Sequence, residues 1–263
     1  MQPELLLFDI GNTCIKVGLA DSRGVTTSYN LRTDPAQTSD SLGLTLLELL
    51  RHAGAEPRFT ACVASSVVPG FDPLLREAVQ RYLGCPLWMV PQDMPIPLQN
   101  HYERPQEVGA DRLVGAYEAR RLHPGPESLI VVDFGTATNM EVVDADGRFI
   151  GGVIAPGVET SASALFSHAT KLGAIDLIDP HTAIGRNTEE AIQAGIVYGE
   201  ADRVDGIIRR IFAQLGYETP VVATGGLASR VAAQSQTITA INPELTLEGL
   251  RLVYEAQEGA ASV

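Results

Sequence analysis

Two short segments carry residues of the right type and spacing to hold phosphate. Asp9-Ile10-Gly11-Asn12-Thr13 follows the apolar run Leu5-Leu6-Leu7-Phe8, and Asp133-Phe134-Gly135-Thr136-Ala137 follows Leu129-Ile130-Val131-Val132. In each, a carboxylate stands at the carboxyl end of an apolar strand. Glycine comes where the chain must turn tightly, which leaves amides and hydroxyls exposed for phosphate oxygens. Asp9 would then stand within reach of a phosphate-bound Mg²⁺, because hard cations take oxygen ligands and keep waters between metal and carboxylate. Lys16, on the strand after the first turn, either reaches the phosphates or remains a solvated strand residue. Asp and Gly are common at hairpins, so one such turn says little. Two at equivalent places, with a further glycine turn at Ala223-Thr224-Gly225-Gly226-Leu227, favour phosphate binding.

A second constellation is Val108-Gly109-Ala110-Asp111-Arg112. A carboxylate beside a bound alcohol can accept its proton as the oxygen attacks phosphorus, and the neighbouring guanidinium can hold an anionic substrate. Asp111 as a helix N-cap and Arg112 as a surface ion pair explain the same residues equally well. No Gly-x-x-x-x-Gly-Lys-[Ser/Thr] occurs, and no Gly-x-Gly-x-x-Gly follows a strand, which excludes P-loop and Rossmann sites.

The elements that must position these groups form an internal repeat. After each Asp-x-Gly turn the chain alternates through a strand (residues 14–20 and 140–143), a turn (21–24 and 144–147) and a third strand (25–31 and 148–154). The first half continues as a helix over 41–52, a strand at 59–64, a helix over 72–83 closed by Gly84, and a strand at 87–90. The second half has long helices between 158 and 215, strands at 220–223 and 237–241, and a last helix over 245–258. Strands alternate with helices, so the fold class is α/β, with two similar domains facing each other across a cleft. A helical segment over 106–123 joins them, and the Pro-rich stretches 91–97 and 123–126 are natural joints. The expected domains are 1–118, with the first phosphate loop, and 119–263, with the second.

Composition bounds the partners. Lys+Arg 19 against Asp+Glu 32 gives a net charge of −13, a field that disfavours nucleic acid and anionic lipid. Small anions must then be attracted locally, which predicts dependence on cations. The three cysteines, Cys14, Cys62 and Cys85, show no CxxC or Cys/His clustering, so reduced thiols are expected. The start lacks a basic n-region and its apolar run is too short for a signal core or a membrane span, so a cytoplasmic chain with no membrane partner is expected.

The two turns together with Gly225-Gly226 resemble the nucleotide clamp of the actin, Hsp70 and sugar-kinase superfamily, whose domains are ribonuclease H-like. More specifically, the chain resembles type III pantothenate kinases. The resemblance rests on Asp9-Ile-Gly-Asn-Thr-x-x-Lys16, Tyr102-x-x-Pro-x-x-x-Gly-Ala-Asp-Arg112, Asp133-Phe-Gly-Thr-Ala-Thr138, Gly151-Gly-x-Ile-x-Pro-Gly157, Gly185-Arg-Asn-Thr-x-x-Ala-Ile-Gln-Ala-Gly195 and Ala223-Thr-Gly-Gly-Leu-Ala228. It implies ATP-dependent phosphorylation of pantothenate to 4′-phosphopantothenate, the first step of coenzyme A biosynthesis. It also implies that ATP lies along Asp9, Ile10, Gly11, Asn12, Thr13, Cys14, Ile15 and Lys16, with Thr136 contacting it from the second domain. Asp133 would help hold a monovalent cation, K⁺ or NH₄⁺, alongside Mg²⁺. Asp111 would be the base. Tyr102, Gly109, Ala110, Asp111 and Arg112 would line the pantothenate site, with Thr188 reaching it from the other subunit of a homodimer. The family often has Tyr-x-Asn-Pro where this chain has Tyr102-Glu103-Arg104-Pro105. The alternatives are a non-catalytic regulatory protein of the same fold and another small-molecule kinase of the superfamily.

Overall fold

The computed structural model describes residues 4–168 and 175–261. Part of the helical stretch expected between 158 and 215 therefore lies outside the described residues. The chain divides into two units, one made of residues 1–122 with 244–263 and the other of residues 123–243.

In the first unit β1 (Leu5–Ile10), β2 (Cys14–Asp21) and β3 (Gly24–Arg32) form an antiparallel meander. Then come α1 (Ser39–His52), β4 (Ala61–Ser66), α2 (Asp72–Ala78), β5 (Leu87–Val90), the two-residue β6 (Gln99–Asn100) and α3 (Ala110–Leu122). The sheet order is β3-β2-β1-β4-β5, with β4 parallel to β1 and β5 parallel to β4. Because side chains alternate across a strand, β1 serves two cores. Leu6, Phe8 and Ile10 pack with Leu42, Leu46 and Leu50 of α1 and Leu75 of α2. Leu5 and Leu7 pack on the other face, with Val114 and Tyr117 of α3 and with Leu247, Leu250 and Val253 from the end of the chain. Apolar residues four apart make α1 amphipathic, and the Thr38 hydroxyl caps it by accepting from the Ser41 amide at 3.1 Å.

The second unit repeats the plan with β7 (Leu129–Phe134), β8 (Ala137–Val143) and β9 (Arg148–Pro156) antiparallel, then α4 (Val158–His168), α5 (Thr188–Gln193), α6 (Gly199–Leu215), β10 (Val221–Thr224), α7 (Ala228–Ala232) and β11 (Ala240–Ile241). Its strands run β11-β10-β7-β8-β9, the same order and the same directions as β5-β4-β1-β2-β3. Ile130, Val132 and Phe134 of β7 pack with Val204 and Ile208 of α6.

Two expectations are corrected. The last helix, α8 (Leu245–Ala261), belongs to the first unit and not to a domain 119–263, because its apolar residues fill the Leu5/Leu7 face of the first sheet. The strand expected at 237–241 shrinks to Ala240–Ile241. The buried carboxylate of Asp205 takes the Gln236 and Thr237 amides and the Ser235 and Thr237 hydroxyls, so this stretch is bound to a side chain and not to a ladder.

Within the first unit α3 packs against α8 with a carboxylate between them. Glu118 is buried, and its Oε2 has no hydrogen-bond partner among the described residues. Burial and then the nearby Glu248 push its pKa up to about 7, while Arg251 and Arg121 oppose them. Between the ordinary value of 4.5 and about 7 the folded chain holds a proton that the unfolded chain has lost, so stability falls as pH rises through that window. Glu118→Gln should raise the melting temperature above pH 7, by about 2–4 °C for each kcal/mol relieved. Thermal unfolding at pH 8 and at pH 4 checks this, with no gain expected at the lower pH.

Candidate functional site

Strand parity selects what surrounds Asp9. It follows Leu5 and Leu7 on the β1 face that looks toward α3 and α8, so the groups available to it come from those helices and from neighbouring strands. Its register partners are Lys16 on β2 and Ser65 on β4, which share that face. The Ser65 hydroxyl donates to Asp9 Oδ1 at 2.8 Å. Burial raises the Asp9 carboxyl to about 6, and the negative charge of Asp111 adds to the shift. The Ser65 hydrogen bond and the Lys16 ammonium pull the other way.

Asp111 enters at the start of α3, where unpaired amides and the helix dipole favour a carboxylate. The helix begins at Ala110, so Asp111 lies inside its first turn and is not the residue that precedes it. Its Oδ1 accepts the Arg112 amide at 2.8 Å. Burial nevertheless pushes its pKa above the ordinary value, against the pull of that amide and the Arg112 guanidinium. A β-carbon at residue 109 would collide with Asp111 Oδ1 and lie 3.3 Å from Val67, so a side chain there would displace the carboxylate from this position. The first unit therefore gathers two desolvated, mutually repelling carboxyls and a lysine. Such a set can hold a cation and accept a proton.

Lys16 is half-buried and paired with a carboxylate. Its Nζ lies 3.1 Å from Glu244 Oε2, just ahead of α8, and Glu244 Oε1 accepts the Ser28 hydroxyl at 2.9 Å. Sequence reasoning missed both Ser65 and Glu244. Ser65 lay one residue beyond the expected strand 59–64, and nothing local marks Glu244 as a partner of Lys16.

The turn from Gly11 to Cys14 is closed by the Gly11 amide on the Cys14 carbonyl at 3.0 Å and by the Thr33 hydroxyl on the Gly11 carbonyl at 2.6 Å. Asn12, Thr13 and Cys14 are exposed on it. Ile10 and Ile15 point into the α1/α2 core and offer only main chain to a ligand. Ala110 is buried, while Tyr102, its amide bound to Asn100 Oδ1 at 3.0 Å, is half-buried.

In the second unit Asp133 takes the Asp9 position, but its partners in the sheet are Asn139 and Thr224, where the first unit has Lys16 and Ser65. Gly225 follows β10 with φ +95, and a β-carbon there would collide with Asp133 Oδ1 and lie 2.6 Å from the Phe134 carbonyl oxygen. Thr136 is exposed, and its carbonyl accepts the Gly157 amide at 3.1 Å and the Thr160 hydroxyl at 2.6 Å. Thr138 next to that turn donates to the buried Glu200 at 2.6 Å. Thr188 is the exposed first residue of α5, and capping falls to Asn187, whose side chain accepts the Glu190 amide at 2.9 Å. Asp133, Thr136 and Thr188 thus belong to one unit, and Asp9, Lys16, Tyr102, Asp111 and Arg112 to the other.

Two sheets of this order, each with a carboxylate near the end of its first strand, define the actin-like ATPase and sugar-kinase fold. The chain is similar to the activator of 2-hydroxyisocaproyl-CoA dehydratase from Clostridium difficile, with TM-score 0.56, 17% identity and coverage of 98% of this chain and 97% of that one. It is also similar to the ROK hexokinase of Thermus thermophilus, with TM-score 0.53, 15% identity and coverage of 96% and 99%. The sequence carries the assignment further. The profile of type III pantothenate kinase matches residues 5–210. The type III pantothenate kinase of Desulfovibrio desulfuricans is 54% identical over 99% of this chain and 100% of its own length. That of Nitratidesulfovibrio vulgaris strain Miyazaki F is 52% identical over 97% and 98%. The chain belongs to the type III pantothenate kinase family.

Ser65→Ala should raise the Asp9 pKa further above 6, read from the carboxyl carbon shift in a pH titration by NMR. It should cost about 1–3 kcal/mol of stability at pH 8, where the bond is charge-assisted, and less at pH 4, where Asp9 is protonated in the folded chain.

Proposed function

We propose that this chain transfers the γ-phosphoryl group of ATP to the primary hydroxyl of pantothenate, giving 4′-phosphopantothenate at the first step of coenzyme A biosynthesis. The observation that carries the reading is Asp111, a desolvated carboxylate at a helix N-terminus next to Arg112, in a chain that matches the family over nearly its whole length. A raised pKa makes Asp111 a better proton acceptor than an ordinary surface carboxylate. Arg112 holds the pantothenate carboxylate, and Gly109, Ala110 and Tyr102 line the same site. The exposed Asn12 and Thr13 of the first turn, with Lys16, bind the nucleotide. For Lys16 this requires exchange of the Glu244 carboxylate for phosphate oxygens.

The donor sets fit cations. Asp9, half-buried and repelled by Asp111, gains from a positive charge beside it. A single carboxylate of this kind suits Mg²⁺ carried mainly by phosphate and water. When bound, Mg²⁺ offsets the charge that develops on the phosphates. At Gly225, Asp133 Oδ1 and the Phe134 carbonyl converge on a space that a β-carbon would fill, a pair of hard oxygens suited to K⁺ or NH₄⁺. A homodimer, in which Thr188 completes the partner's pantothenate site, accounts for exposed Thr188 and for Ile184 and Ile154, 83% and 63% exposed in the same unit. A cytoplasmic location is part of the reading, and no helix among the described residues is long and apolar enough to cross a membrane.

A coupled assay of ADP release with pantothenate tests the reading. Turnover that needs pantothenate and falls by about 10²–10⁴-fold in Asp111→Asn, with ATP binding retained, is expected. Near-normal turnover in that variant would remove Asp111 as the base. The kcat/KM of the native chain should fall as pH drops through about 6, where Asp9 takes up its proton. Replacing K⁺ with Na⁺ should lower turnover, and indifference to the exchange would remove Asp133 from a cation site.

A further inference from the structure

Two of the three thiols, which the sequence gives no reason to pair, meet in the first unit. Cys62 is the second residue of β4 and is fully buried on the α1/α2 face, and Cys85 is half-buried just before β5. The Cys62 amide donates to the Pro86 carbonyl at 2.7 Å, which ties the two main chains beside the sulfurs. The sulfur atoms lie 3.2 Å apart, closer than two thiols in ordinary contact and about 1.2 Å from bonding distance. We infer that Cys62 and Cys85 form a modification site, a dithiol that peroxides convert to an intramolecular disulfide and small thiols restore.

The environments assign the roles. The hydrogen bond from Cys62 pulls the Cys85 thiol below its ordinary pKa, and Cys85 is the one that solvent reaches. Contact with Cys85 and then burial push Cys62 up. The Cys85 thiolate attacks the peroxide, breaking its O–O bond to give a sulfenic acid and hydroxide. The Cys62 sulfur then attacks that of Cys85. The S–S bond forms, the S–O bond breaks, and the departing hydroxide leaves as water with the Cys62 proton. Two thiols and one hydrogen peroxide become one disulfide and two waters. Cys14, exposed in the first turn, serves as the internal comparison.

The test does not depend on the proposed activity. The full-length chain is treated with graded hydrogen peroxide, quenched with catalase, then unfolded in a maleimide and analysed by intact mass and peptide mapping. The expected result is the loss of two of the three alkylatable thiols, a mass lower by two hydrogens and a peptide linking 62 to 85. The linked peptide should persist in Cys14→Ser and revert with dithiothreitol. In Cys85→Ser, checked for native circular dichroism, Cys62 should stay alkylatable throughout. Full alkylation of Cys62 and Cys85 at peroxide levels that already oxidise Cys14 would overturn the inference, and so would Cys85 sulfinic acid beside a free Cys62.

Discussion

The hydrogen bond from Ser65 to Asp9 is the contact on which the candidate site turns. A carboxylate at the end of a buried strand is costly to ionise, and Asp111 adds repulsion. The Ser65 hydroxyl and the Lys16 ammonium are what keep an ionised Asp9 within reach near neutral pH. All three residues sit on one face of three adjacent strands because the register pairs 9 with 16 and with 65. A shift of one residue in either ladder would turn a partner into the opposite core.

Duplication reuses this geometry with different chemistry. The second sheet has the same strand order, and Asp133 stands where Asp9 does. Asn139 and Thr224 stand at the register positions that Lys16 and Ser65 hold in the first sheet, a neutral pair in place of a cation and a hydroxyl. Asp133 lies against the left-handed Gly225 and near a main-chain carbonyl. One copy is built around charge balanced by side chains, and the other around oxygen atoms set close together.

The return of the chain at Glu244 joins the parts of the first unit. Glu244 and Glu248 bind Lys16, Ser28 and the Val25 amide, so the start of α8 grips β2 and β3 while its apolar face covers Leu5 and Leu7. The helix that ends the chain thereby sits behind the strand that begins it. This is why a division into successive domains fails at its last element.

The sequence alone determined what depends on neighbouring residues. Alternating apolar runs and glycine turns specify most strands, the Asp9 and Asp133 turns and most helices, because periodicity and turn geometry are local. The division between the units falls at 122/123, beside the Pro-Gly-Pro stretch and four residues past the expected 118/119, while the Pro-rich stretch 91–97 lies inside the first unit. Tertiary structure decided which side chains meet. Ser65 with Asp9, Lys16 with Glu244, Cys62 with Cys85, and Asp205 with the stretch that reads as a strand are pairings between distant segments. The raised pKa values of Asp9 and Asp111 were equally hidden, since desolvation belongs to the packed environment and not to the residue.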